Sequence, residues 1–195
     1  MRRGTFAILV VGMALPASAG AQGVHLGLSA GAVHPGSTLY DLGDAVGEGH
    51  LVKGNALGLG AMIEASFLRA TLAYASGATI RERGVDNGGS IGEGTLLALA
   101  GDVVLRPIPR VVGIQPWLIG GLALKHEGYS WDDDGLADAL PEDETEGALH
   151  IGIGADLMLG RIGITAEVSD FITRDDDQFG RHDSFFLLGL RIGLF

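Results

Sequence analysis

Leu149-His150-Ile151-Gly152-Ile153-Gly154-Ala155-Asp156-Leu157-Met158-Leu159 is the stretch on which the fold turns. Its odd positions are all apolar: Leu149, Ile151, Ile153, Ala155, Leu157 and Leu159. Its even positions, His150, Gly152, Gly154, Asp156 and Met158, are mostly small or polar. Successive side chains of an extended chain point to opposite sides, so a period of two describes a strand with one greasy face. Asn55 to Ala65 repeats the pattern, with Leu57, Leu59, Ala61, Ile63 and Ala65 against Gly58, Gly60, Met62 and Glu64. So does Ile162 to Phe171, where Ile162, Ile164, Ala166 and Val168 alternate with Gly163, Thr165, Glu167 and Ser169.

Five further segments fit the same template. Val24 to Val33 puts Val24, Leu26, Leu28, Ala30 and Ala32 on one face, and Leu68 to Ser76 sets Leu68, Ala70, Leu72 and Tyr74 opposite Arg69 and Thr71. Thr95 to Arg106 and Trp117 to Lys125 are apolar on both faces, with Asp102, Arg106 and Lys125 giving their phase. Ser184 to Phe195 sets Phe186, Leu188, Leu190, Ile192 and Leu194 against Gly189, Arg191 and Gly193. Eight strands of this length are each close to what a tilted strand needs to cross a bilayer. The connections alternate: polar stretches at 34–54, 77–94, 126–147 and 172–183, short links at Ser66-Phe67, 107–114 and Gly160-Arg161. Of the 24 acidic residues, 19 fall in the four polar stretches, while Arg69, Arg106, Arg110 and Arg161 lie at or beside the short links.

The compartment is set by the first residues. Arg2 and Arg3 precede the apolar run Phe6 to Leu15, Pro16 ends it, and Ala17-Ser18-Ala19-Gly20-Ala21 offers small-residue cleavage sites. This is the layout of a secretory signal peptide, too short to span a bilayer as a helix. Cleavage after Ala21 is expected, with Ala19 as the other site. A signal peptide at 1–21 and one barrel domain at 22–195 follow, exported by a Sec-type route. Loss of both leading arginines takes the formal charge from -11 to -13, a balance that excludes nucleic acid as a partner. The chain has no cysteine, hence no disulfide, thiolate chemistry or lipidated cysteine anchor.

Alternation alone does not say which face meets water. A soluble barrel turns its apolar face inward and coats the outside with charge. Here the second face is largely Gly, Ala and Ser with a few ionisable groups, too sparse for a solvent surface and suited to a narrow lumen. Glu64 and Arg69 flank a two-residue turn, so they oppose one another and should pair inside. Asp102, Lys125, His150, Asp156, Glu167 and Arg191 are expected to extend that interior network. The fold expected is all-β, an eight-stranded antiparallel up-and-down transmembrane barrel, closed because every backbone donor in lipid must be paired.

The chain resembles the superfamily of small outer-membrane β-barrels that includes the OmpA transmembrane domain and OmpX. The resemblance is carried by Gln115-Pro116-Trp117-Leu118-Ile119-Gly120-Gly121, by Ile153-Gly154-Ala155-Asp156, by Ala166-Glu167-Val168-Ser169-Asp170-Phe171 and by the ending Leu190-Arg191-Ile192-Gly193-Leu194-Phe195. It implies a location in the cell outer membrane, contact with outer-membrane lipid, and delivery to barrel assembly machinery through a last strand ending in Phe195. In one respect the chain departs from the pattern: the greasy face of the last strand is one residue out of step with Phe195.

Most catalytic patterns are missing, including a nucleophile elbow, a phosphate loop and a zinc-binding His-Glu-x-x-His. His182 and Ser184 are the catalytic candidates, a base and a hydroxyl on one strand face, roughly 7 Å apart. Lipid A deacylases of this barrel class carry a similar pair, oriented by a glutamate that this sequence does not obviously place. The bland reading is a loop histidine beside a strand-starting serine. Asp132, Asp133 and Asp134, with Asp175, Asp176 and Asp177, are oxygen donors that could hold divalent cations at the outer surface, though their spacing is not that of an EF-hand. No cofactor is expected. The function expected is that of a structural or surface-interaction barrel in the cell envelope, not an enzyme; the alternatives are a lipid-modifying enzyme of the lipid A deacylase kind and a narrow channel or carrier of a small hydrophobic ligand.

Overall fold

A computed structural model of the protein describes residues 23–36, 40–41, 50–83, 90–107, 113–132, 143–175 and 178–194. The expected signal peptide at 1–21, Phe195, and Asp133, Asp134, Asp176 and Asp177 lie outside them. Among the described residues there are ten strands: β1 (Val24–His34), β2 (Tyr40–Asp41), β3 (His50–Lys53), β4 (Ala56–Ala65), β5 (Leu68–Arg83), β6 (Gly92–Leu105), β7 (Ile114–Trp131), β8 (Glu144–Leu159), β9 (Ile162–Asp175) and β10 (Gln178–Gly193). Every pairing is antiparallel. β1, β4, β5, β6, β7, β8, β9 and β10 each have two neighbours, and the β5–β6 and β1–β10 pairings close them into an eight-stranded up-and-down barrel. The short β2 pairs with β3, and β3 continues the ladder of β4 along β5.

The registers fix the barrel's shape. The cross-strand row that begins at Gly193 runs through His25, Glu64, Arg69, Asp102, Gly121, His150 and Phe171 and returns to β10 at Asp183. It arrives ten residues from where it began, a shear of 10 for eight strands. With ordinary strand spacings that shear tilts the strands by about 40°. Both barrel ends of the chain and the turns Ser66-Phe67 and Gly160-Arg161 share one end, called proximal below; the opposite end is distal. Gly160 sits at a φ of 70° and Ser66 at 61°, the left-handed first position of a two-residue hairpin, which favours glycine.

Side-chain alternation then sorts the two faces. Ile153 and Leu188 are 58% and 63% exposed, and exposed Leu, Ile, Val and Phe side chains recur at alternate positions of all eight barrel strands. Buried residues occupy the intervening positions, giving β6 an unbroken alternation from end to end. The apolar face is therefore the outer face. One irregularity reverses the phase: the β5–β6 register shifts between Ala75 and Ala78, at Gly77 with a φ of 77°. β4 breaks at the same level, between Lys53 and Ala56, so that Lys53 and Ile80 point inward.

The strands outrun the apolar segments from which they were read. β5 extends to Arg83, β6 begins at Gly92, β7 runs to Trp131, β8 begins at Glu144, and β10 begins at Gln178, with two residues between it and the end of β9. The polar stretches expected as loops at 77–94, 126–147 and 172–183 thus each begin and end as paired strand. Ladder hydrogen bonds need only backbone groups, so pairing continues beyond the point where greasy side chains stop.

Candidate functional site

The lumen holds a large set of buried ionisable residues, arranged in levels. At the proximal end Glu64 is the hub. Its carboxylate accepts from Arg69 through Nε at 3.2 Å and Nη2 at 3.0 Å, and also from Arg106 and Arg191. Arg69 reaches Glu167 at 3.1 Å, and Arg191 reaches Asp156 at 2.6 Å. Three guanidiniums thus meet three carboxylates, and only Arg106, at 28% side-chain exposure, touches solvent appreciably. The Arg69 guanidinium lies 4.1 Å from the Trp117 ring centroid. Gly154 makes room for that ring, since a Cβ there would stand 2.3 Å from Trp117 Cζ2. A cavity of about 380 Å³ opens beside this cluster, lined by His25, Glu64, Phe67, Arg106, Asp156 and Arg191 among others.

Above it, His150 Nδ1 meets Asp102 at 2.8 Å and Thr71 donates to Asp102 at 3.2 Å. The His150 ring stacks on Phe171 at 4.2 Å, and Phe171 meets Phe185 edge-on at 5.4 Å. Around these rings Leu187, Leu96, Ala98, Ala123 and Ala148 are buried in one apolar cluster. A second ionic cluster lies on its distal side. The Lys125 ammonium contacts Asp183 at 2.7 Å, Glu127 at 2.9 Å and Glu146 at 3.0 Å. Lys53 and the Tyr129 hydroxyl also bond Glu127, and the Gly36 amide donates to Asp183 at 2.9 Å. Lys125 therefore does not share a cluster with Glu64, Arg69, Asp156, Glu167 and Arg191. The structure separates the expected single network into two, with the Phe171–Phe185 layer between them and the Asp102–His150 pair at its proximal edge. The spaces beside Leu187 and Leu96, two buried members of that apolar cluster, are small, about 20 Å³ and about 10 Å³.

His182 and Ser184 lie within β10, not in a loop before it, and share the outward parity of Phe186 and Leu188. Their common partner is Asp170 of β9, with His182 Nδ1 at 2.6 Å and Ser184 Oγ at 3.4 Å. The carboxylate sits between base and hydroxyl, so the serine donates to Asp170 rather than to the imidazole that would activate it. Of the cation candidates, Asp132 ends the described part of its stretch and the backbone of Asp175 closes β9. Among the described residues no three His, Asp or Glu side chains converge as a metal site.

Sequence reasoning missed Lys53, Glu127, Glu146, Asp183 and Asp170. Glu127, Glu146 and Asp183 were masked by their polar surroundings, which read as loop. Continuing the two-residue period of β7 past Lys125 reaches Glu127 with the right parity. Lys53 carried no such signal, because the phase reverses between it and Ala56.

No protein-family model and no curated protein matches the chain. Among solved structures it is similar to the outer membrane protein OprG from Pseudomonas aeruginosa, at 15% identity and a TM-score of 0.60 over 88% of this chain and 96% of that one. It is similar also to Neisserial surface protein A, at 11% identity and a TM-score of 0.53 over 87% of this chain and 96% of that one. At these identities the likeness is one of fold, the small outer-membrane β-barrel.

Proposed function

We propose that the protein resides in a bacterial outer membrane, with its short turns in the periplasm, and serves the envelope as a structural or surface-interaction barrel. The observation that carries this reading is the pairing of an apolar outer face on all eight strands with a lumen filled by two ionic clusters and an aromatic layer. Such a wall is stable in lipid, and such a lumen leaves little room for solute. Electrophoresis of the detergent-purified protein, boiled and unboiled, tests the closed barrel. A boiling-dependent change in mobility is expected, and identical mobility with solubility in plain buffer would overturn the reading. Planar-bilayer recording tests the filled lumen, since steady conductance steps would make the protein a channel.

A lipid-modifying enzyme is the second reading, supported by the outward position of His182 and Ser184 beside Asp170. Hydrolysis would require the serine to leave Asp170 and bond the imidazole. Comparing membrane lipids from cells carrying the parent protein with those carrying His182→Ala or Ser184→Ala tests it, and identical lipid profiles would end this reading.

A further inference from the structure

Five of the 24 acidic residues lie outside the four polar stretches: Glu64, Asp102, Asp156, Glu167 and Asp170. The first three are buried in the lumen, and Glu167 reaches inward to Arg69. Asp170 alone has outward parity, following Ile162, Ile164 and Val168 along the exposed face of β9. Its depth follows from the registers. It stands opposite Ile151 and Ser184, and two residues farther toward the distal end comes Ile172, opposite Leu149 and His182. On strands tilted by about 40°, two residues rise about 5 Å along the barrel axis. The carboxylate is therefore set about 5 Å below the rim that Leu149 and Ile172 mark on β8 and β9. On β10 the apolar face ends at Phe186, so the carboxylate stands at the edge of the belt with Ile151, Val168 and Ile172 around it.

An ionisable group facing lipid is expensive and marks a function by default. Asp170 is only partly shielded: its side chain is 23% exposed and that of His182 is 50% exposed. An ionised carboxylate offers about four acceptor sites, and His182 and Ser184 occupy two. The remaining capacity faces the membrane at the depth where the acyl chains of a lipid join its headgroup region. Ester linkages present only acceptors there, which cannot pair with a carboxylate. An amide N–H or a hydroxyl on the acyl chain can.

We infer that Asp170, held by His182 and Ser184 on the outer wall, is a binding site for membrane lipids whose acyl linkage carries hydrogen-bond donors, an amide N–H or a hydroxyl, in preference to ester-linked lipids. This rests on the reading of the protein as a membrane barrel. Phosphates and other anionic headgroup parts do not compete for the site, because they share its charge.

Phosphatidylcholine and sphingomyelin are the probes, since they carry the same headgroup and differ in the amide N–H and hydroxyl below it. The protein is inserted into vesicles of the two lipids in equal amounts, floated, extracted in mild detergent and weighed with its retained lipid by native mass spectrometry. Charge-assisted hydrogen bonds of this kind favour the donor-bearing lipid by about tenfold or more, so the parent protein should retain sphingomyelin over phosphatidylcholine by about that ratio. Asp170→Leu should bring the ratio to unity, and Asp170→Asn, which keeps shape and an acceptor but no charge, should fall between. Equal retention by the parent protein, or a preference that survives Asp170→Leu, overturns the site while leaving the barrel intact. Failure of the parent protein to float with the vesicles overturns the membrane reading and the site together.

Discussion

Replacing Glu64 with leucine should destabilise the barrel by about 3–5 kcal/mol, the cost of breaking a buried pair by removing one partner. The magnitude can be worked from its neighbours. Glu64 accepts four hydrogen bonds from Arg69, Arg106 and Arg191. At roughly 1.5–3 kcal/mol for each bond to a charged group, the gross loss is about 6–12 kcal/mol. Three features reduce it: Arg69 keeps Glu167 and its stack on Trp117, Arg191 keeps Asp156, and Arg106 already reaches solvent. The residue of the loss is one unpaired positive charge among three guanidiniums and two carboxylates. A second substitution, Arg69→Leu, restores the balance, so the double variant should be more stable than Glu64→Leu alone by about 1–2 kcal/mol. Urea unfolding in detergent micelles, followed by tryptophan fluorescence and by the heat-dependent gel shift, reads both values. A Glu64→Leu protein within about 0.5 kcal/mol of the parent, or a double variant weaker than the single one, would refute the ion-cluster reasoning.

The aromatic layer should be the seal of the lumen. Phe171→Ala together with Phe185→Ala should give small conductance steps in planar bilayers where the parent protein gives none, and silence from the double variant would place the seal elsewhere. Ser66, at a φ of 61°, pays the left-handed penalty of a residue with a Cβ. Ser66→Gly should raise stability by up to about 1 kcal/mol, the gain being partly offset by the freer unfolded chain; a lower urea midpoint would contradict that assignment.

The wall was more legible in the sequence than its contents. A greasy face at every second position of Leu149–Leu159 survives in the structure because nothing interrupts the ladder there, and the same holds for β4, β9 and the outward face of β10. Glu64 and Arg69 were legible as a pair because a two-residue turn fixes their register without reference to the rest of the fold. The partition of the lumen was not. That Asp102 meets His150 across β7 while Lys125 meets Asp183 depends on a shear of 10, and shear is a property of closure that no single strand carries. Strand ends were hidden for a related reason: Glu127 and Asp183 are polar, and polarity marks loops and lumen alike. Asp170 was passed over because its chain neighbours, Ser169 and Phe171, face the lumen, and only the placement of β10 shows what it touches.

The central claim is that the alternating apolar face looks outward into lipid. Because the chain has no cysteine, single substitutions Leu28→Cys, Ile153→Cys and Leu188→Cys can each carry a spin label in vesicles. Collision of the label with dissolved oxygen is compared with collision with a polar nickel chelate. The account predicts that oxygen, which concentrates in hydrocarbon, reaches all three labels far more often than the chelate. Labels reached by the chelate as readily as by oxygen, or shielded from both, would contradict it and turn the barrel inside out.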